Sequence, residues 1–287
     1  MTQRSMEARP ARRVSDAVPE LRVSAATRRL SPSPPDPDAG ADHAVGAPAL
    51  LTTATVSLVV PTLDEERNVA WVLERLPAGL HEVILVDGRS TDDTIAVARA
   101  VRPGIRVVLE RRPGKGAALR AGFAAAHGDY VVMIDADGSM NPSEIPRFVR
   151  ALDAGCDFVK GSRFAPGGGT NDMDVLRRVG NGALMTAVNV LYRTNFSDLC
   201  YGFMAFRRDK LAALRLGSDG FEIETEMVVR AVIAGLRIGE VPSFEAERQY
   251  GESNLRPWRD GRRVLGTLLS ERFILPPTPV VVPGVVR

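Results

Sequence analysis

Lysine is close to absent from this chain: the 37 basic residues include only Lys115, Lys160 and Lys210, which makes each of the three a position to follow. Cysteine is scarcer still. Cys156 and Cys200 have no CxxC spacing and no partners to form a framework, so reduced thiols in a cytoplasmic setting are expected. No stretch of about eighteen apolar residues occurs, which argues against a transmembrane helix. A net charge of +2 gives no pull towards nucleic acid. No GxGxxG follows the first strand, which disfavours a dinucleotide oxidoreductase, and no GxxxxGK[ST] supports a P-loop nucleotidase.

What is present is core. The 287 residues are 45% hydrophobic, enough for one large domain or one and a half. Residues 1–50 mix Arg, Ala, Ser, Pro and Asp without apolar periodicity and read as a disordered leader. From Val56 the chain alternates. Strands are expected at 56–60, 83–86, 106–109, 130–134 and 158–160, with helices at 64–76, 90–101, 117–126 and 143–152 between them. Asp64, Glu65 and Glu66 are placed in a helical first turn, and Ser90, Thr91 and Asp92 at a helix cap. Such alternation predicts an α/β fold, a doubly wound, mostly parallel sheet flanked by helices.

The stretch Val131–Gly138 organises the rest. Four apolar residues run into Asp135 and Asp137 and the chain turns at Gly138. Two adjacent carboxylates repel, and a hard cation such as Mg2+ or Mn2+ offsets that cost while leaving coordination positions for phosphate oxygens. An ordinary Asp-Gly turn is the competing explanation. Parallel strands gather Pro61, Asp87 and Asp135 along one edge, where Gly114-Lys115-Gly116 adds a cation. The set supplies what a nucleoside diphosphate needs: a carboxylate for base or ribose, a cation for phosphate and a metal site.

At this point a resemblance enters. Val-Val-Pro-Thr-Leu-Asp-Glu-Glu-Arg-Asn (59–68), Val-Asp-Gly-Arg-Ser-Thr-Asp-Asp-Thr (86–94), Gly-Lys-Gly (114–116), Asp-Ala-Asp (135–137), Gly-Ser-Arg (161–163) and Arg-Gln-Tyr-Gly-Glu-Ser-Asn-Leu (248–255) occur in one order. In that ordered combination the chain resembles the family 2 glycosyltransferases of GT-A fold, most closely their dolichol-phosphate mannose synthase-like branch. The resemblance covers residues 55–255 as the transferase domain and continues to about 273. It implies a nucleotide-sugar donor, a divalent metal and inversion at the anomeric carbon. It places Pro61, Leu63, Glu65 and Asp87 at the nucleoside, Lys115, Asp135, Ala136 and Asp137 at the diphosphate, with Asp135 and Asp137 as metal ligands, and Arg163 and Arg248 at phosphate or sugar. The chain departs from the family at Asp87-Gly88-Arg89-Ser90, where Asp-Asp-Gly-Ser is common, losing the second acid and adding a cation. It departs again at Asn254, which stands where the mannose-synthase branch commonly has a phosphate-binding lysine, so UDP-linked sugars rise over GDP-mannose as expected donors.

Residues 162–225 break the alternation and should build an acceptor side. A helix over 175–193 places Leu176, Val179, Leu184, Val188 and Leu191 on one face, expected to pack in the core. Glu222, Glu224 and Glu226 open a further helix, and Glu224 is the candidate base if the acceptor is a sugar hydroxyl. A polyprenyl phosphate, already anionic, needs none. Catalytic roles therefore fall to Asp137, Arg248 and Glu224. A C-terminal amphipathic helix over 256–275 carries arginines among leucines, either packed on the domain or laid peripherally on an anionic membrane, and residues 276–287 form a short tail. The remaining alternatives are a haloacid-dehalogenase-like phosphatase, whose hallmark Asp-x-Asp-Gly also follows an apolar strand, and a non-catalytic nucleotide-binding module on the same fold.

Overall fold

Short Val-, Ile- and Leu-rich runs closed by turn residues become strands buried on both faces. The computed structural model describes residues 49–251 and 257–273 together with the pair Arg28–Arg29. The elements in chain order are β1 (Arg28–Arg29), β2 (Val56–Thr62), α1 (Val69–Glu74), β3 (Glu82–Asp87), α2 (Thr94–Val101), β4 (Arg106–Leu109), α3 (Lys115–Ala125), β5 (Tyr130–Met133), α4 (Ile145–Asp153) and β6 (Phe158–Ser162). There follow β7 (Gly169–Thr170), α5 (Val175–Tyr192), β8 (Met204–Arg207), α6 (Leu211–Leu214), α7 (Ile223–Ile233), β9 (Ile238–Pro242), β10 (Phe244–Glu245) and α8 (Pro257–Phe273).

Eight strands form one sheet in the order β1-β9-β6-β8-β5-β2-β3-β4, and β7 pairs with β10 separately. All pairings are parallel except those of β8, which runs antiparallel to both β5 and β6. Strand periodicity sorts the core into two layers. Val59, Ile84, Val131 and Met133 face α3, α5, α7 and α8. Leu58, Val60, Leu85 and Val132 face α1, α2 and α4.

Of four expectations, three are corrected and one holds. The first helix begins at Val69, not at the acids. Asp64–Glu66 instead clasp the loop before α2: the Asp64 N–H donates to Ser90 Oγ, the Glu65 N–H to Thr94 Oγ1 and the Glu66 N–H to Asp92 Oδ2, while the Thr91 N–H returns to Asp64 Oδ1. Asp64 sits at a φ of 55°, outside the right-handed helical region, and Ser90 and Thr91 serve that clasp instead of capping. Second, and as expected, the alternation breaks within residues 162–225, where β8 runs antiparallel. Third, the α5 face expected in the core divides: Val188 is buried, whereas Leu176 and Val179 are 51% and 65% exposed. Fourth, two residues of the leader pair with β9 as an edge strand; the rest of the leader, Asn254 and the tail lie outside the described residues.

Candidate active site

Pro61 and Thr62 close β2, Asp87 closes β3 and Asp135–Asp137 follow β5, so adjacent parallel strands deliver them to one edge of the sheet. A cavity of about 620 Å³ opens there. Pro61, Leu63, Glu65, Lys115, Asp135 and Ala136 line it, as do Asp137, Arg163, Glu224 and Arg248. Asp87 does not reach the lining, although Gly88 does. Its Oδ1 accepts from the N–H groups of Arg89 and Ser90, both at 3.0 Å, which holds Arg89 at a φ of 76°. Its Oδ2 is buried and has no hydrogen-bond partner among the described residues, a cost that a ligand donor would remove.

Two ion clusters occupy the floor. Lys115 Nζ lies 2.6 Å from Asp135 Oδ1 and 2.6 Å from Glu224 Oε1. Arg248 spans 2.9 Å to Asp137 Oδ2 and 3.3 Å to Glu65 Oε1. Ser139 fixes the other Asp137 oxygen through its N–H and hydroxyl. Burial, with Asp137 and Glu224 nearby, pushes the Asp135 carboxyl up to about 6 against the pull of Lys115. Burial also raises Glu65, outweighing its bond from Asn68 and the charge of Arg248. Desolvation works to lower the Lys115 ammonium, but Asp135 and Glu224 outweigh it and hold the group above its ordinary range.

Four carboxylates thus face two cations, which leaves this group with two negative charges in excess. Among the described residues no three His, Cys, Asp or Glu side chains form a metal cluster. A hard divalent ion that takes two carboxylates and completes its shell with water or phosphate fits both facts. A site demanding a full protein cage does not.

The two glycines of Gly-Lys-Gly have a packing cause. The N–H groups of Gly116 and Ala117 donate to the Asp219 carbonyl, and a Cβ at Gly114 or Gly116 would collide with the backbone of Ser218–Gly220. The glycines therefore admit a neighbouring loop, and the first turn of α3 is capped by a protein carbonyl in place of a phosphate. Glu226 accepts from the Gly217 and Ser218 N–H groups, and Arg120 donates to Asp219, so the loop ties α3 to α7 and sets Lys115 against Glu224.

Arg163 is buried and fully engaged. It donates from Nε and Nη2 to Asp198, from Nη1 to Glu245 at 3.1 Å and from Nη2 to the Cys200 carbonyl. Every guanidinium nitrogen has a protein partner, so in this structure Arg163 braces the cavity wall and offers no free donor to a phosphate. Glu245 escaped the sequence reading because β10 is two residues long and has no periodic signal. Met173, Leu176, Ala183, Leu184, Val264 and Leu265, from α5, α8 and the residues before α5, form an apolar end of the cavity that the sequence did not reveal. Cys156 and Cys200 form no disulfide among the described residues, and burial, with Glu224 and Asp198 beside it, pushes the Cys200 thiol up to about 12.

A doubly wound sheet with an acidic crevice at its carboxyl edge defines a nucleotide-binding α/β protein. Comparison with known proteins narrows this. Residues 57–215 match Glycosyl transferase family 2. The chain is 35% identical over 216 residues to the glycosyltransferase AglJ of Haloferax volcanii, covering 73% of this chain and 69% of that protein. It is 37% identical over 200 residues to an uncharacterized glycosyltransferase of Mycobacterium tuberculosis, covering 70% and 89%. Glucosyl-3-phosphoglycerate synthase from Mycobacterium tuberculosis, crystallised with Mn2+, uridine diphosphate and phosphoglyceric acid, matches with a TM-score of 0.61 at 26% identity over 78% of this chain and 81% of that one. The same enzyme with Mg2+ and uridine diphosphate matches with a TM-score of 0.60 at 28% identity, over 78% of this chain and 82% of that one. The chain therefore belongs to glycosyltransferase family 2 and has the GT-A architecture; the phosphatase alternative falls.

Proposed function

We propose that this chain is a metal-dependent, inverting hexosyltransferase that takes its sugar from a nucleoside-diphosphate donor, UDP-linked in preference to GDP-linked, and passes it to a polyprenyl phosphate. The observation that carries the reading is the excess of two negative charges at Asp135, Asp137, Glu65 and Glu224 in the strand-end crevice of a family 2 chain. Asp135 and Asp137 would hold Mg2+ or Mn2+, which when bound offsets charge on the departing diphosphate. Pro61, Leu63 and Glu65 border the nucleoside end. Lys115 and Arg248 stand beside the two aspartates as cations for phosphate. Asp87 offers its unpartnered oxygen to the base or ribose, and Asn254 completes the donor set.

Two features favour a phosphate acceptor over a sugar hydroxyl. Glu224, the expected base, is held by Lys115 at 2.6 Å, and a nucleophile that is already anionic needs no base. The lining from α5 and α8 is largely apolar, and it carries Arg262 together with Arg177, which is paired to Asp172. The likeness to mannose synthases belongs to this reading through that acceptor class, not through the mannose.

Thermal melting with UDP-, GDP- and dTDP-sugars, each with and without Mn2+, tests the donor, because a ligand that binds only the folded state raises its stability. A shift with the UDP-sugar that needs Mn2+ and disappears with EDTA is expected. No shift with any nucleotide, or one indifferent to metal, overturns the reading.

A further inference from the structure

Apart from Arg178 near its start, the exposed side of α5 carries no charge. Val175, Leu176, Val179, Ala183, Thr186 and Val190 are exposed and recur every three or four residues, so an 18-residue helix shows an apolar stripe to the outside as well as the buried side chains of Val188 and Tyr192. A helix apolar on both sides ordinarily has something on both sides. Alongside it, α8 docks through buried Val264 and Leu268 and through the Tyr192 hydroxyl, which donates to the Leu268 carbonyl. This leaves Leu265 and Leu269 each 43% exposed.

Charge says what covers this face. The acids of α8, Asp260 and Glu271, are buried, while Arg259, Arg262 and Arg263 are exposed. Arg178 and Arg193 are exposed near the two ends of the α5 stripe. An apolar strip rimmed by arginines, with the acids of α8 turned inward and the one exposed acid at its end, Asp174, offset by Arg177, complements an anionic lipid surface. A symmetric contact with a second copy would set the same arginines against each other. The cavity reaches this face as well, since Leu176 and Leu265 belong to both.

We propose that the α5–α8 face docks the protein on an anionic membrane, with the cavity opening towards the lipid. The inference goes beyond the transferase reading and does not depend on the donor. The test is co-sedimentation of the full chain with vesicles of phosphatidylcholine alone or of equimolar phosphatidylcholine and phosphatidylglycerol. The wild type is expected to pellet with the anionic vesicles only and to be released by high salt. Val179→Glu and Leu269→Glu, which lie outside the cavity lining, should stay in the supernatant while keeping wild-type circular dichroism and melting temperature. Arg259→Gln should weaken vesicle binding about fivefold. A wild type that ignores anionic vesicles overturns the proposal, as do glutamate variants that pellet like the wild type. So does a wild-type dimer in size-exclusion light scattering that the glutamate variants convert to monomers, because the face then belongs to a second copy.

Discussion

A methyl group at Gly202 would lie 2.7 Å from Glu224 Oε1, 3.0 Å from Lys115 Nζ and 3.3 Å from Asp135 Oδ2. All three atoms are side-chain ends that can yield, so Gly202→Ala should cost no more than the 1–3 kcal/mol typical of overpacking, about 1 kcal/mol being expected. The displaced ammonium and carboxylates are another matter, since misplacement by about 1 Å can cost on the order of a hundredfold. Gly202→Ala is expected to lower kcat/KM by about tenfold to a hundredfold with a small change in melting temperature; steady-state kinetics and thermal melts check both. Asp137→Ala should lower transfer by about a hundredfold or more. Its fold should survive, because removing one of four crowded carboxylates relieves repulsion. Retained transfer in that variant would remove Asp137 from the mechanism. Asp135 and Asp137 were legible because an apolar run ending in two acids carries its own physical contradiction. Glu224 stood out only as one of three acids on a helix, and nothing local to it announces Lys115, which lies 109 residues away in sequence.

At the scale of elements, two clasps position the site. One joins residues 64–66 to the loop before α2; the other lays Ser218–Gly220 on the first turn of α3. Gly116→Ala drives a Cβ into the Ser218 carbonyl, a backbone atom that has no rotamer to escape through. The expected outcome is a loss of about 1–3 kcal/mol in a denaturant melt together with weaker nucleotide binding, because Lys115 begins the same turn. A third brace is Arg163 on Asp198. Burial works to raise the Asp198 carboxyl, but the hydrogen bonds and charge of Arg163 outweigh it and hold the group below the ordinary carboxylate range. A depressed folded value means that this stabilisation is fully present above about pH 4 and is lost as the pH falls through the lower folded value. Melting temperature should therefore drop in acid. The drop should be shallower for Asp198→Asn, a variant less stable than wild type near neutral pH because it leaves Arg163 buried without its carboxylate. The strands and most helices were legible because their periodicity is local. The clasps were not: acids followed by apolar residues satisfy the pattern of a helical first turn, and only the proximity of Ser90, Asp92 and Thr94 decides against it.

The whole molecule divides into a first half with simple β-α alternation and a second half in which the chain returns antiparallel. β8 inserts between β5 and β6, pairing Met204 with Met133 on one side and with Lys160 on the other. That insertion was not legible, because strand order is set by pairings between distant segments while the sequence of β8 reads much like that of any buried strand. Its consequence is that α5 and α7 follow or precede strands of the same sheet edge and leave room for α8 against them. The sequence left α8 open between a packed helix and a membrane-surface helix, and the structure packs it: its inner side is core, with Arg230 Nη2 2.7 Å from the buried Glu271, while its outer side carries arginines and leucines. A pair of neighbouring leucines separates these roles. Leu268 is fully buried and Leu269 is 43% exposed. Leu268→Ala should cost about 2–5 kcal/mol in a chemical melt, because it opens a cavity between α8, α7 and α5. Leu269→Ala should stay within about 0.5 kcal/mol of wild type. Equal and negligible costs at both positions would mean that α8 does not dock on the domain, and the apolar end of the cavity would lose the wall that Val264 and Leu265 give it.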